Sequence, residues 1–89
     1  MSEPLRVVYL GKLADLAGAD DQRLDVHAGP LDWEALLARL ETQVAAGLGE
    51  ALDADSVKVA LNGAIVPDKA ALTVKAGDEI AFLPPVSGG

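Results

Sequence analysis

The stretch VKVALNGAIV, residues 57–66, decides the fold that the rest of the sequence must fit. Its two apolar runs flank Asn62-Gly63, the preferred pair for a two-residue type I′ hairpin turn, which requires a positive φ at both positions. Pairing Leu61 with Ala64 across this turn places alternate residues on the same face of the hairpin. The face predicted to be buried carries Val57, Val59, Leu61, Ala64 and Val66. The residues predicted to face the other way are Lys58, Ala60 and Ile65.

The main helix is predicted upstream of this hairpin. Asp32 is a suitable N-cap, and Glu34 in the first turn interacts favourably with the helix dipole. Apolar residues then recur at helical spacing, which gives the helix one buried stripe. The stripe consists of Trp33, Leu36, Leu37, Leu40 and Val44. We expect the helix to end at Gly47 and Gly49, and residues 50–55 to form a polar connecting loop.

Three further strands are predicted from short runs rich in β-branched and aromatic residues. They span residues 5–10, 22–27 and 79–83, with an additional extended piece at 72–74. A short helix over residues 12–17 is expected to end at Gly18. These elements predict an α+β fold, in which a mixed sheet of four or five strands packs on one main helix. We assign residues 1–83 to this domain and residues 84–89 to a flexible C-terminal tail.

Composition narrows the functional classes. The chain has 89 residues and a net charge of −7, and its seven basic residues form no cluster, so a nucleic-acid partner is not expected. It contains no cysteine, which excludes a disulfide, a thiolate nucleophile and a cysteine metal site. No signal peptide and no membrane-spanning run is recognisable, so we expect a cytoplasmic protein without a membrane partner.

The tail PPVSGG, residues 84–89, is the candidate functional segment. It begins with Pro84 and Pro85, which cannot donate a hydrogen bond to the sheet and therefore end the last strand. Its six residues span at most roughly 20 Å, and the two glycines at its tip allow close approach of the backbone to another molecule. The tail carries no side chain suited to acid, base or metal chemistry. Its reactive group is the carboxylate of Gly89, which must first be converted into a mixed anhydride by a partner enzyme and a nucleotide.

An apolar surface is predicted beside this tail. Strand alternation places Leu10, Ile65 and Leu83 on the sheet face that lies away from the main helix. Leu83 also adjoins the first residue of the tail. We interpret the three side chains as a partner interface, because alternation would have tolerated polar residues there. The alternative is that they are scattered surface hydrophobes.

Three other side chains are assigned structural positions. His27 has no paired carboxylate or nucleophile, so we expect it in an exposed loop. Trp33, in the first turn of an amphipathic helix, is expected in the core or as a lid over it. Asp78 is expected in a solvated turn, with its carboxylate bonded to nearby backbone amides. No glycine-rich loop followed by Lys-Ser/Thr is present, so ATP must bind to a partner.

The ending GDEIAFLPPVSGG, residues 77–89, the Asn62-Gly63 hairpin and the order of elements resemble a known family. This family is the small, sulfur-carrying subunit of molybdopterin synthase, which has a ubiquitin-like β-grasp fold. The resemblance implies that an ATP-using, ubiquitin-activating-like enzyme adenylates the terminal glycine. A sulfurtransferase donor then supplies the sulfur of a thiocarboxylate. The large synthase subunit, in a heterotetramer, receives the tail and passes the sulfur to a cyclic pyranopterin precursor.

On this resemblance the protein is a carrier without catalytic side chains of its own, with no bound cofactor. Gly89 would carry the sulfur. Gly88 and Ser87 would pass through a channel of the partner. The remaining residues that the resemblance and the strand pattern assign to partner binding are Val86, Pro85, Pro84, Leu83, Ile65 and Leu10.

Two other functions share the same features. Ubiquitin-like modifiers are joined through a terminal glycine to lysines of other proteins, and some end in the same kind of PPVSGG sequence. Sulfur carriers for thiamin, for cysteine and for tRNA thiolation share the fold and the Gly-Gly end. A plain binding domain with an inert tail is the third alternative.

Overall fold

A computed structural model describes residues 3–26 and 29–85 of the chain. Seven strands, three α-helices and one 3-10 turn lie within these residues. The strands are β1 (Leu5–Tyr9), β2 (Asp21–Leu24), β3 (Leu31–Asp32), β4 (Lys58–Leu61), β5 (Ala64–Ile65), β6 (Thr73–Val74) and β7 (Glu79–Leu83). The helices are α1 (Lys12–Ala17), α2 (Trp33–Gln43) and α3 (Leu48–Asp53), and the 3-10 turn is Lys69–Ala71.

Five strands form one mixed sheet in the order β2-β1-β7-β4-β5. The central pair, β1 and β7, is parallel, and the other pairs are antiparallel. A second, two-stranded sheet joins β3 to β6. The mixed five-stranded sheet with one main helix confirms the predicted α+β, β-grasp architecture. The β3–β6 pair was not predicted, because two-residue strands carry no readable alternation.

The hairpin turn is the one that its sequence predicts. Asn62 and Gly63 have φ values of 51° and 86°, as a type I′ turn requires. Leu61 pairs with Ala64, which confirms the predicted register. Val59 is buried on the core face, whereas Leu61 is half-buried and Ala64 is exposed. The core therefore covers the base of the hairpin and leaves its tip in solvent.

The core lies between the five-stranded sheet and α2. The Asp32 side chain caps this helix by accepting a hydrogen bond from the Ala35 N–H at 2.8 Å. Three aromatic rings meet in the core: Phe82 stacks on Tyr9 at 5.9 Å between ring centroids and packs against Trp33 at 6.1 Å. Trp33 is only 3% exposed, as expected for a core or lid residue. The core is otherwise aliphatic, with Leu5, Val7, Leu36, Leu40, Val59 and Ile80 fully or almost fully buried.

The connection after α2 differs from the expectation. Residues 50–55 were expected to form a loop, but α3 spans Leu48–Asp53, and Leu48 and Leu52 are fully buried one helical turn apart. This two-residue stripe is too short to show a helical period in the sequence. The segment folds as a helix because tertiary packing against α2 stabilises it. The long helix also ends earlier than predicted, at Gln43, with Val44 as its C-cap.

The second strand also differs from its predicted bounds. It begins at Asp21 and ends at Leu24, whereas the expectation was residues 22–27. Val26 beyond its end is buried without being part of the strand. The prediction of an exposed loop at His27 lies outside the described residues.

Candidate functional site

The ends of the two central strands form the candidate site. β1 and β7 run parallel, and their last paired residues are Tyr9 and Phe82. The Leu10 N–H extends this ladder by donating to the Phe82 carbonyl at 3.1 Å. Because parallel strands end at the same edge of a sheet, the tail leaves β7 beside the end of β1. Pro84 and Pro85, which we call the tail root, therefore follow the central strand β7, which has β1 on one side and β4 on the other.

One sheet face at this site is largely apolar and accessible, although it also carries the exposed Lys58, which pairs in register with Leu83. Ile65 is 61% exposed and Leu10 is 42% exposed, while Leu83 is half-buried. Strand register connects them through a row of small and branched side chains that runs Val8, Ala81, Ala60, Ile65 across four strands. We call the outer apolar surface the set Val8, Leu10, Ala60, Ile65, Ala81 and Leu83.

The predicted parity of Leu10, Ile65 and Leu83 is therefore the parity that the sheet has. Buried and accessible residues alternate along β1 and β7, so these residues face away from the core. The role of the surface in binding a partner stays a prediction at this point.

A charged margin borders the outer apolar surface on the side away from the tail. Arg6 pairs in register with Glu79, one step before Val8 and Ala81. Its guanidinium contacts Asp21 at 3.0 Å and Glu79 at 2.8 Å. The hydrogen bond to Asp21 and the negative charge of Glu79 raise the pKa of Arg6 above its ordinary value. The guanidinium therefore stays charged, and the margin contains one cation between two carboxylates, with a net charge of −1.

The structure describes the first two residues of the tail, Pro84 and Pro85. Pro84 is half-buried, and Pro85 is exposed. The predictions made for Val86, Ser87, Gly88 and Gly89 lie outside the described residues.

The start of β7 is fixed by a polar cluster that the sequence only partly indicated. Two hydrogen bonds join Asn62 to Glu79: the Asn62 N–H donates to the Glu79 carbonyl at 2.7 Å, and the Glu79 N–H donates to the Asn62 side-chain oxygen at 2.9 Å. The Asn62 amide also donates to the Asp78 carboxylate at 3.1 Å, and the Lys75 backbone and side chain donate to it at 3.0 Å. These bonds lock the hairpin tip to the turn before β7.

Asp78 corrects the expectation of a solvated turn residue, because it is only 7% exposed. Its predicted bond to a nearby backbone amide is present, from Lys75. Burial alone would raise the pKa of Asp78, but the hydrogen bonds from Asn62 and Lys75 outweigh it, and the pKa is lowered. The sequence could not show this burial, because it arises from the hairpin folding over the turn.

A second polar cluster lies apart from the tail, and sequence reasoning missed it. The Lys69 ammonium donates to the carbonyls of Leu52, Ala54 and Val57 and lies 5.7 Å from the Trp33 ring. Burial lowers the pKa of Lys69. No sequence motif could reveal this site, because its acceptors are backbone carbonyls. These contacts hold the end of α3 and the segment that follows it, so we assign Lys69 a structural role.

The described part of the chain shows neither a candidate metal site nor a candidate membrane-spanning helix. Within residues 3–26 and 29–85, no group of three or more His, Cys, Asp or Glu side chains is placed to hold a metal ion. No helix among these residues is both long and apolar enough to cross a membrane.

Comparison with known proteins places this geometry in a family. The sequence profile described as the ThiS family matches residues 7–89. A comparison with curated proteins found no match.

Several solved structures are similar over almost the whole chain. The crystal structure of SAMP1 from Haloferax volcanii is 33% identical, covers 96% of this chain and 98% of that one, and has a TM-score of 0.63. The solution structure of the Haloferax volcanii HVO 2177 protein is 25% identical, covers 99% and 88%, and has a TM-score of 0.74. A complex of subunits 1 and 2 of molybdopterin-converting factor from Helicobacter pylori contains a chain that is 27% identical, with 96% and 97% coverage and a TM-score of 0.60.

Proposed function

The chain belongs to the ThiS family of ubiquitin-like sulfur carriers, and we propose that it is the sulfur-carrier subunit of a molybdopterin synthase. One observation carries the proposal: the family match reaches Gly89, at the end of a tail that leaves the sheet beside an exposed apolar surface. A partner that binds this surface would receive the tail in a defined position. The chain similar to a subunit of the Helicobacter pylori complex supports a large synthase subunit as that partner.

In the first step, a carboxylate oxygen of Gly89 attacks the α-phosphorus of ATP on an activating enzyme. Pyrophosphate leaves, and an acyl adenylate forms. Hydrosulfide then attacks the carbonyl carbon and displaces AMP, and loss of the remaining proton gives a thiocarboxylate. The carrier contributes the acyl group and its presentation, and both reactions are catalysed by side chains of the partners.

In the second step, the thiocarboxylate enters the large subunit, and its sulfur attacks a cyclic pyranopterin precursor and replaces an oxygen substituent there. Water then hydrolyses the acyl–sulfur bond, which leaves the sulfur on the pterin and releases Gly89 as a carboxylate, so two carriers supply the two sulfurs of one dithiolene. The outer apolar surface supplies the docking contact, with Ile65 and Leu10 as its most exposed large side chains. Pro84 and Pro85 form the tail root, and Val86, Ser87 and Gly88 occupy the partner's channel. The slender Gly-Gly tip allows the backbone to approach the reaction centre closely.

Intact mass spectrometry after reaction with an activating enzyme, ATP and sulfide tests the first step. The expected result is a mass gain of one sulfur-for-oxygen exchange, located at Gly89. A variant with one residue added after Gly89 is the matched control, because it keeps the domain and masks the carboxylate. Equal sulfur gain in both proteins would overturn the assignment of Gly89.

Reconstitution with the large subunit and the pyranopterin precursor tests the second step. The thiocarboxylated chain is expected to yield the dithiolene product, and the Gly89 deletion is expected to yield none. The deletion should leave the thermal midpoint unchanged, because the last strand ends at Leu83, six residues earlier in the sequence. A thiocarboxylated chain that yields no dithiolene would assign the carrier to another thiolation pathway, such as those for thiamin, cysteine or tRNA.

A ubiquitin-like modifier is the second candidate. The 33% identity to SAMP1 of Haloferax volcanii, whose name stands for small archaeal modifier protein 1, favours it. In this function the Gly89 adenylate is attacked by a lysine ε-amino group, AMP leaves, and an isopeptide bond forms. Digests of cells that express the tagged chain would then contain lysines with a tail-derived remnant. A sensitive search that finds none, under conditions where thiocarboxylate is detected, would reject this candidate.

A further inference from the structure

We propose that Gly11 is a positioning residue that sets the direction in which the tail leaves the sheet. The inference deepens the proposed function and rests on it in one respect, which is that the tail must reach a partner's reaction centre. The contact between Gly11 and Pro84, which we call the seat, is a feature of the fold and can be tested without that reaction.

The backbone of Gly11 is held on both sides. It follows Leu10, whose N–H is bonded to the Phe82 carbonyl, and its own carbonyl accepts from the Ala14 N–H at 3.0 Å. It is also the N-cap of α1, with φ 56° and ψ −131°. A positive φ of this kind favours glycine strongly, so the chain can turn from β1 into α1 here without a Cβ clash.

Pro84 also occupies the space beside a side chain that Gly11 lacks. A Cβ placed on Gly11 would lie 3.0 Å from the Cγ of Pro84, 3.9 Å from its Cδ and 4.0 Å from its Cβ. Optimal carbon–carbon contact is about 3.5–4.0 Å, so the shortest of these distances is too tight, and Pro84 would have to move by a few tenths of an ångström. The proline ring cannot rotate away like a flexible side chain, because it is closed onto its own backbone. Pro84 therefore packs directly on the backbone of Gly11.

This contact is the one that orients the tail. The β1–β7 ladder ends at the Leu10–Phe82 bond, and Pro84 cannot extend it because it lacks an N–H. Beyond the ladder, the packing of Pro84 on Gly11 determines where the chain points next. The five residues after Pro84 can extend about 17 Å, so the position and direction of the chain at Pro84 determine the region that the tip can reach.

Gly18 provides a matched control. It lies at the other end of α1 and also has a positive φ, 80°, but no atom lies within 4 Å of a Cβ placed there. Gly11→Ala and Gly18→Ala both introduce backbone strain at the ends of α1, and the strain is larger at Gly11, whose ψ of −131° lies outside the left-handed helical region that Gly18 occupies. Only Gly11→Ala displaces Pro84.

The experiment measures adenylation of the full chain by its activating enzyme, together with thermal midpoints. We expect Gly11→Ala to lower kcat on the order of tenfold, since an error of about 1 Å in placement costs about a hundredfold and the shift at Pro84 is smaller than that. KM should remain near that of the unchanged chain, because the outer apolar surface is intact. Gly18→Ala should lose thermal stability and keep its kcat. Equal kcat values for the two variants would overturn the proposal.

Two further measurements cover the ways in which this assay could fail. A nuclear Overhauser contact between the Gly11 Hα protons and the Pro84 ring is expected in the unchanged chain and in Gly18→Ala, and its absence from both would overturn the seat. If the unchanged chain is not adenylated, the proposed function fails, and this contact alone decides the seat.

If Gly11→Ala does not fold, Pro84→Gly removes the same contact, and its kcat should fall further than that of Pro85→Gly. Equal losses in the two proline variants would contradict the inference.

Discussion

At the scale of the residue, Asp78 shows how one buried carboxylate connects two segments. It accepts hydrogen bonds from the Asn62 amide and from the backbone and side chain of Lys75. Asp78→Ala would leave two of these donors, the Asn62 amide and the Lys75 N–H, without their acceptor. We expect a loss of about 1–3 kcal/mol in the free energy of unfolding, measured by urea denaturation. Asp68→Ala is the control, because Asp68 is exposed and its side chain makes no capping bond.

The stabilisation by Asp78 should depend on pH. Its pKa in the folded state is lowered, so the carboxylate stabilises the fold fully above the unfolded value of about 3.9. The stabilisation is lost as pH falls through the lower folded pKa. The difference in unfolding free energy between the unchanged chain and Asp78→Ala is therefore expected to shrink below about pH 4. A difference that stays constant between neutral and strongly acidic pH would contradict this account.

At the scale of the element, the hairpin depends on the backbone of Gly63. Its φ is 86°, and no atom lies within 4 Å of a Cβ placed there, so Gly63→Ala introduces strain without a clash. We expect a loss of about 1–2 kcal/mol in the free energy of unfolding, from the cost of a left-handed alanine. Denaturant unfolding measures the change. An unaltered midpoint would mean that the hairpin adopts a different turn in the variant.

The junction of α2 and α3 depends on a single carboxylate. Glu41 accepts backbone hydrogen bonds from Gly47 at 2.6 Å and Gly49 at 2.9 Å, and these two bonds lower its pKa. Its side chain thus serves the N-terminus of α3, where Gly47 offers no capping side chain. We expect Glu41→Ala to increase amide hydrogen exchange at Gly47 and Gly49 more than elsewhere in the chain. Unchanged exchange at both amides would show that packing alone holds α3.

Sequence reasoning at this scale succeeded where one short motif decides the local geometry. Asn62-Gly63 predicted both the turn type and the register, because few dipeptides tolerate two positive φ values. It failed at α3, since only two of its three buried positions, Leu48 and Leu52, carry an apolar side chain, and the third is Gly49. It also missed the contacts of Lys69, whose acceptors are backbone carbonyls brought together by the fold.

At the scale of the whole molecule, the position of the outer apolar surface links the sheet to the tail. Ile65 is 61% exposed and faces away from the core, so Ile65→Ser should change the unfolding free energy by no more than about 0.5 kcal/mol. The same change should weaken binding to the large synthase subunit on the order of tenfold or more, as expected for an apolar anchor. Calorimetry of binding and thermal denaturation together test this.

Leu16 is the matched control for Ile65. It is 41% exposed but lies on α1, outside the outer apolar surface. Leu16→Ser is expected to bind like the unchanged chain. Equal weakening by the two substitutions would show that general surface hydrophobicity, and not the sheet face beside the tail, determines partner binding.

The sequence by itself determined the hairpin, the main helix, the class of fold and the parity of Leu10, Ile65 and Leu83. These features depend on local backbone preference and on alternation, which a sequence displays directly. Only the tertiary structure decided that β7 pairs in parallel with β1 at the centre of the sheet, that Asp78 is buried, and that Pro84 packs on Gly11. Each of these depends on residues far apart in the chain being brought into contact, and no local pattern encodes which distant partner a residue will meet.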